Sequence, residues 1–191
     1  MKKITLFLAL ALLFSSACSD SGNSPSKTKE LLPTKVGNEW KYVATTGGIG
    51  TIRLGKVSEL MKIEEKDWFS FVIAPKTQKV IRNAADGVHV LLYNDSTKKE
   101  EDFLFYKYPV EEISEYEVNG NQVRLVATDK EVSVPAGTFS CYYFNVMYSD
   151  STRYEEYFAP GIGLIKYVLY SDSAGFRKSI TISELESYTI K

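Results

Sequence analysis

The stretch VSVPAGTFSCYYFNVMYSDSTRYEEYFAPGIGLIKYVLY, residues 132–170, decides the fold. Three runs rich in aromatic and β-branched residues each follow a break: Pro135-Ala136-Gly137, Ser149-Asp150-Ser151-Thr152 and Ala159-Pro160-Gly161-Ile162-Gly163. Such side chains suit a pleated, half-buried surface, and Pro, Gly, Ser and Asp interrupt it at turns. In the first run Phe139, Cys141, Tyr143, Asn145 and Met147 share one face, and Tyr142, Phe144, Val146 and Tyr148 share the other. Both faces are largely apolar, so this strand is expected to be central and covered on both sides. The stretch reads as an antiparallel β-meander.

The same grammar continues outward. Downstream, Ser171–Gly175 is a turn and Phe176–Tyr188 a closing strand. Upstream, Asn119-Gly120 is the clearest two-residue hairpin turn, and Gln122–Val134 is a strand with a bend near Asp129-Lys130. Asp86-Gly87 and Gly47-Gly48-Ile49-Gly50 mark earlier hairpins. Trp40 and Tyr42 share a face of the first strand. In the long run Thr51–Ile63, Ile52, Leu54, Lys56 and Leu60 fall on one parity. Asn94–Asp102 is a charged connection, with Thr97 and Glu100 at capping-box spacing for one helical turn. Pro33 stands seven residues before Trp40 and Pro109 seven before Tyr116, a spacing that a two-half architecture would produce. With about eleven or twelve strands and no long helical period, the prediction is all-β. It is a single curved antiparallel sheet, a half-open barrel-like meander, with a closed barrel or a two-sheet sandwich as alternatives.

The chain has 191 residues, enough for one domain with a core of its own. Hydrophobic residues make up 44% and charged residues 25%, which excludes a disordered chain and a helical membrane bundle. Formal charge is -1, and removing Lys2 and Lys3 leaves 21 basic against 24 acidic residues. That balance carries no footprint for nucleic acid.

Met1–Ala17 reads as a targeting segment: Lys2 and Lys3 lead an apolar run, Ile4–Phe14, too short to span a bilayer, and Ser15-Ser16-Ala17 are small. Cys18 follows, and the junction resembles the lipobox of bacterial lipoproteins, although Ser15 stands where that motif usually has Leu. The resemblance implies that the Cys18 thiol carries a diacylglyceryl group and becomes the mature N-terminus. Two or three acyl chains together make a stable anchor, because one alone binds only marginally. Ser19 stands where an inner-membrane retention signal would have Asp, so the expected location is the outer membrane, on a face left open. Residues 18–30 form a polar tether carrying Gly and Pro, and 31–191 the β domain. Cys141 is then left without a partner, and no disulfide is expected.

Three segments carry a second resemblance: Val132-Ser133-Val134-Pro135-Ala136-Gly137-Thr138-Phe139, Tyr157-Phe158-Ala159-Pro160-Gly161-Ile162-Gly163-Leu164-Ile165-Lys166, and the opening Leu32-Pro33 through Trp40-Lys41-Tyr42. They are similar to motifs of an uncharacterised bacterial envelope lipoprotein family akin to domain-of-unknown-function family 3108. At fold level the resemblance implies the curved, half-open sheets of periplasmic lipoprotein carriers. The motifs are turns and strands, so they imply a fold and no site.

Side chains with catalytic potential are few. His89, the only histidine, alternates with Val88 and Val90 and reads as an ordinary strand residue. A metal site would need a second His or Cys at ligand spacing, so neither metal nor cofactor is expected. A Cys141–His89 pair is formally open, but Cys141 sits mid-strand between bulky residues, as a structural cysteine does. The acidic doublets Glu64-Glu65, Glu100-Glu101, Glu111-Glu112 and Glu155-Glu156 read as solvated charge. No catalytic residue is assigned, and the chain is expected not to be an enzyme. The aromatic sheet instead suggests a binding module, with Trp40, Tyr42, Trp68, Tyr143, Phe144 and Tyr157 as candidate lining for an apolar ligand. The alternative is a structural or interaction module with an envelope protein as partner. In either case the membrane is reached through the N-terminal lipid.

Overall fold

Aromatic and β-branched runs form strands wherever the sequence predicts them, as seen in a computed structural model that describes residues 29–73, 77–149, 152–173 and 176–191. The signal segment, Cys18 and the tether up to residue 28 lie outside the described residues. The strands are β1 (Glu39–Thr46), β2 (Ile49–Ile63), β3 (Lys66–Ile73), β4 (Thr77–Ala84), β5 (Gly87–Asn94) and β6 (Lys99–Lys107). They continue with β7 (Glu115–Val118), β8 (Asn121–Val134), β9 (Gly137–Ser149), β10 (Thr152–Ala159), β11 (Gly163–Ser173) and β12 (Phe176–Thr189). No helix occurs among the described residues.

All twelve strands belong to one antiparallel sheet, ordered β6-β5-β4-β3-β2-β1-β12-β11-β10-β9-β8-β7. Each strand pairs with its chain neighbours, except that β6 and β7 do not pair with each other, and β1 pairs with β12. The meander therefore curls into a barrel that is open along one seam, between β6 and β7. This is the predicted half-open form; the sandwich alternative does not occur. Each half of the chain is a six-strand meander, and the segments carrying Pro33 and Pro109 precede the first strand of each half.

The seam is bridged by a side chain. The Lys107 N–H donates to the Tyr116 hydroxyl (3.1 Å), which donates to the Phe105 carbonyl (3.0 Å). One phenol thus satisfies a donor and an acceptor that a neighbouring strand would otherwise meet. The Lys107 ammonium lies 4.3 Å from the centre of the same ring.

Alternation sets the two faces, and bulges decide where it slips. Trp40, Tyr42, Val57, Phe71, Ile81, Val88, Phe144 and Phe158 point inward and form the buried core. In β2 the register breaks at Ser58, between Val57 opposite Phe71 and Glu59 opposite Ser70. The shared parity of Ile52, Leu54 and Leu60 is therefore not a shared face. Ile52 and Leu54 lie outside, each 55% exposed, while Leu60, opposite Phe69, turns to the inner side. In β8 the register breaks between Leu125 and Lys130, beside the predicted bend. The Thr97–Glu100 helical turn does not form: residues 95–98 make a tight hairpin turn, with the Lys98 N–H on the Asn94 carbonyl (2.8 Å). The Thr97 hydroxyl donates to Glu101 rather than Glu100.

One end of the barrel is closed by residues 29–38, with Leu31 and Leu32 buried in the core. Asn83 donates to the Leu32 carbonyl (2.9 Å), the Trp40 indole N–H to the Ile162 carbonyl (2.6 Å), and the Asn38 amide to the Pro33 carbonyl (3.2 Å). Gly163 admits this segment: a Cβ there would stand 2.9 Å from Leu32 Cδ1. The folded unit also takes in two residues assigned to the tether, since the Lys29 and Glu30 carbonyls accept from the Tyr108 hydroxyl (2.8 Å) and the Gly161 N–H (2.7 Å).

Candidate ligand cavity

Closing one end leaves space inside the sheet. A cavity of about 330 Å³ has Leu32 in its floor and walls that include Phe71, Ile81, Val88, Phe158 and Leu164. Mostly apolar lining with a few convergent polar groups is the usual composition of a small-molecule site, and the volume lies at the lower end of such sites. A smaller neighbouring space of about 210 Å³ shares Lys79, Val90 and Tyr148 with it and reaches Phe105 and Asn119 at the seam.

The polar groups come from strand parity. Arg53 stands opposite Tyr42, Lys79 opposite Phe71, and Glu156 opposite both Phe144 and Tyr167, all inward positions. Arg53 Nη1 donates to the Tyr167 hydroxyl (2.5 Å), and the Tyr106 hydroxyl donates to Glu156 Oε2 (2.5 Å). Glu156 is only 7% exposed, which corrects the expectation that the Glu155-Glu156 doublet is solvated. Burial raises its carboxyl pKa above the usual carboxylate range, against the lowering pull of Lys79 and the Tyr106 hydrogen bond. Burial and the Glu156 charge raise the Tyr106 phenol.

None of the six aromatics expected to line a ligand is in the lining of this cavity. Trp40, Tyr42 and Phe144 are inward but belong to the packed core, where the Tyr42 hydroxyl donates to the Leu164 carbonyl (3.0 Å). Trp68, Tyr143 and Tyr157 are on the outer face. The rings of Tyr143 and Tyr157 stack there at 4.6 Å, and Glu155 accepts from Arg153 (3.0 Å), Tyr157 (3.2 Å) and Tyr170 (3.2 Å). Arg53 and Lys79 were not singled out by sequence reasoning, and Glu156 was read only as solvated charge. Their only signal is position: Glu156 lies two residues from Tyr154 and two from Phe158, on the apolar parity of its strand.

His89 does point opposite to Val88 and Val90, and it anchors a charged cluster on the outside. Its Nδ1 lies 2.6 Å from Asp102 and its Nε2 2.9 Å from Asp86. Asp102 also meets Arg82 (2.6 Å) and Lys66 (2.9 Å), and the Arg82 guanidinium sits 5.2 Å from the centre of the Trp68 ring. Among the described residues no group of three or more His, Cys, Asp or Glu could hold a metal ion. Cys141 is free and buried, and burial pushes its thiol up to about 12, the setting of an inert structural cysteine. It lies on β9 and His89 on β5, strands that are not neighbours in the sheet.

The cluster predicts how stability depends on acid. Burial raises the Asp102 carboxyl, but hydrogen bonds from Lys66, Arg82 and His89 outweigh it and bring it down to about 2, from an ordinary value of 3.8. The folded state therefore gains from ionised Asp102 above pH ~4 and loses that gain as pH falls toward ~2, on the order of 1–2 kcal/mol. Glu156 has the opposite sign: its raised pKa penalises the fold as pH rises through the carboxylate range. Chemical unfolding between pH 2 and 5 is expected to show a flattened acid limb in Asp102→Asn. An unchanged limb would mean that the cluster does not hold Asp102 ionised.

No family model matches the chain, and no curated protein matches it. The resemblance to family 3108 therefore rests on the quoted motifs alone. Two solved structures share the fold. One is a Bacteroides fragilis protein described as exported with a YmcC-like fold, 16% identical, covering 85% of this chain and 100% of its own, with a TM-score of 0.51. The other is a Parabacteroides distasonis protein described as a lipoprotein, 12% identical, covering 85% of this chain and 99% of its own, with a TM-score of 0.50.

Proposed function

We propose that this chain is a non-enzymatic lipoprotein of the cell envelope that holds a small apolar or amphipathic molecule inside its half-open barrel. The observation that carries the reading is the interior cavity, which stays unfilled although aromatic side chains pack the core around it. Its polar groups converge on one space, as groups that orient a ligand do. The envelope location draws on the targeting segment and on Cys18, and it agrees with the descriptions of the two structural neighbours. Acylation of Cys18 and an outer-membrane address inferred from Ser19 complete the proposal. The buried, high-pKa Cys141 and the carboxylate-bound His89 favour binding over catalysis.

A second reading has an observation of its own. Ile49, Ile52 and Leu54 are exposed on β2, and β6 and β7 are sheet edges, features that suit contact with an envelope protein. One experiment separates the two. The chain from Ser19 onward, lacking the acylated cysteine, is purified without detergent and studied by native mass spectrometry, then extracted with organic solvent. A stoichiometric apolar molecule is expected. An empty protein that also takes up no environment-sensitive apolar dye would leave the interaction reading.

A further inference from the structure

The charges around the cavity do not balance. Arg53 and Lys79 both line it, and among the described residues neither forms an ion pair within 4.0 Å. Arg53 donates to Tyr167, a neutral phenol that leaves the guanidinium charge uncompensated. Among the described residues Glu156 is the only carboxylate in the lining, and it accepts from the Tyr106 hydroxyl. Cations against apolar walls are costly unless an anion meets them. Position adds a polarity. The lead-in closes the end where β1 begins and β10 ends, and the apolar floor of Leu32, Phe158 and Leu164 lies there. Lys79 is near the start of β4 and Arg53 near the start of β2, both toward the opposite end.

We infer that the cavity takes an amphipathic monoanion, an apolar chain ending in a carboxylate, with the chain on the Leu32–Phe158–Leu164 floor and the carboxylate between Arg53 and Lys79. This rests on the ligand-binding reading above. The guanidinium fork matches a carboxylate bidentately, and the ammonium adds a point charge. Two cations outnumber Glu156, whose burial already disfavours its charged form, so the lining carries net positive charge for a carboxylate to offset. At roughly 30 Å³ for each water-sized group, 330 Å³ holds about eleven of them, a size that suits a medium-length chain.

The probes are decanoate, decanol and decylammonium, titrated calorimetrically into the chain from Ser19 onward. The variants are Arg53→Gln/Lys79→Gln and, as a control for surface charge, Lys99→Gln, an exposed lysine. Decanoate is expected to bind at least about tenfold more tightly than decanol, the margin of one charge-assisted contact. The double variant is expected to remove that margin and leave decanol within about twofold, while Lys99→Gln keeps it. Decanol binding as well as decanoate, decylammonium binding best, or a margin that survives the double variant overturns the head-group assignment but keeps the cavity reading. No binding of any probe overturns both. The wild-type ratio decides even where the double variant fails to fold.

Discussion

Replacing Trp40 with alanine is expected to cost the fold about 4 kcal/mol, read from the midpoint of chemical unfolding. The indole is 1% exposed, meets Phe71 edge-on at 5.4 Å, and donates its N–H to the Ile162 carbonyl at 2.6 Å. Removing a buried aromatic costs about 3–5 kcal/mol through lost transfer and the cavity left behind. The orphaned Ile162 carbonyl adds about 1 kcal/mol. Trp40→Phe separates the two parts: it keeps most of the packing, loses the hydrogen bond, and should cost about 1–2 kcal/mol. A cost below about 1 kcal/mol for Trp40→Ala would mean that this end of the barrel relaxes freely. The bond to Ile162 spans 122 residues and ties the first strand to the β10–β11 turn beside Leu32. The variant should therefore also loosen the cavity floor.

Strand existence and the antiparallel class were legible because their signals are local. Two-residue turns and alternating runs announce themselves within a few residues, and they placed the meander from Val132 to Tyr170. The inside and outside of the barrel were less legible, because a bulge is one residue that inverts every position after it. Ser58 did this in β2: Ile52 and Leu54, before it, lie outside, while Leu60, after it and on the same parity, turns inward; Arg53, between the first two, also points inward. Which aromatics face the cavity was illegible for a related reason. In a sheet curled around a narrow interior, strand parity decides which rings face the gap: Phe71, Tyr106, Tyr154 and Phe158 line it, together with the polar residues that share their parity. Tyr143 and Tyr157 stack outside, while Lys79 and Glu156, polar in the sequence, face the cavity. The charge of Glu156 argued for solvent; only its place between Tyr154 and Phe158 argued for the interior.

Gly87→Ala is expected to act at the seam, costing the fold on the order of 3 kcal/mol and releasing β6 selectively. Gly87 has φ near +142°, and a Cβ there would stand 2.0 Å from the Tyr106 carbonyl oxygen and 2.9 Å from the Tyr108 nitrogen. Both are backbone atoms, so β6 itself must move. That strand is paired on one side only, by β5, and on its other side is held by the Tyr116 hydroxyl through Phe105 and Lys107. Moving it by the required distance should break those two bonds and draw Tyr106 away from Glu156. Amide exchange should then rise over Lys99–Lys107 well before the strands around Trp40 respond. Gly120→Ala serves as the control. That residue also has positive φ, +76°, but its Cβ would meet nothing within 4 Å, so only the backbone conformation is penalised. A Gly87 variant no worse than the Gly120 variant, with unchanged exchange in β6, would show that the close approach of β5 to β6 is not what holds the seam. A selective opening would instead make the seam the softest part of the barrel. Lys79 and Tyr148, which line both the cavity and the space at the seam, would then mark the route by which a ligand enters.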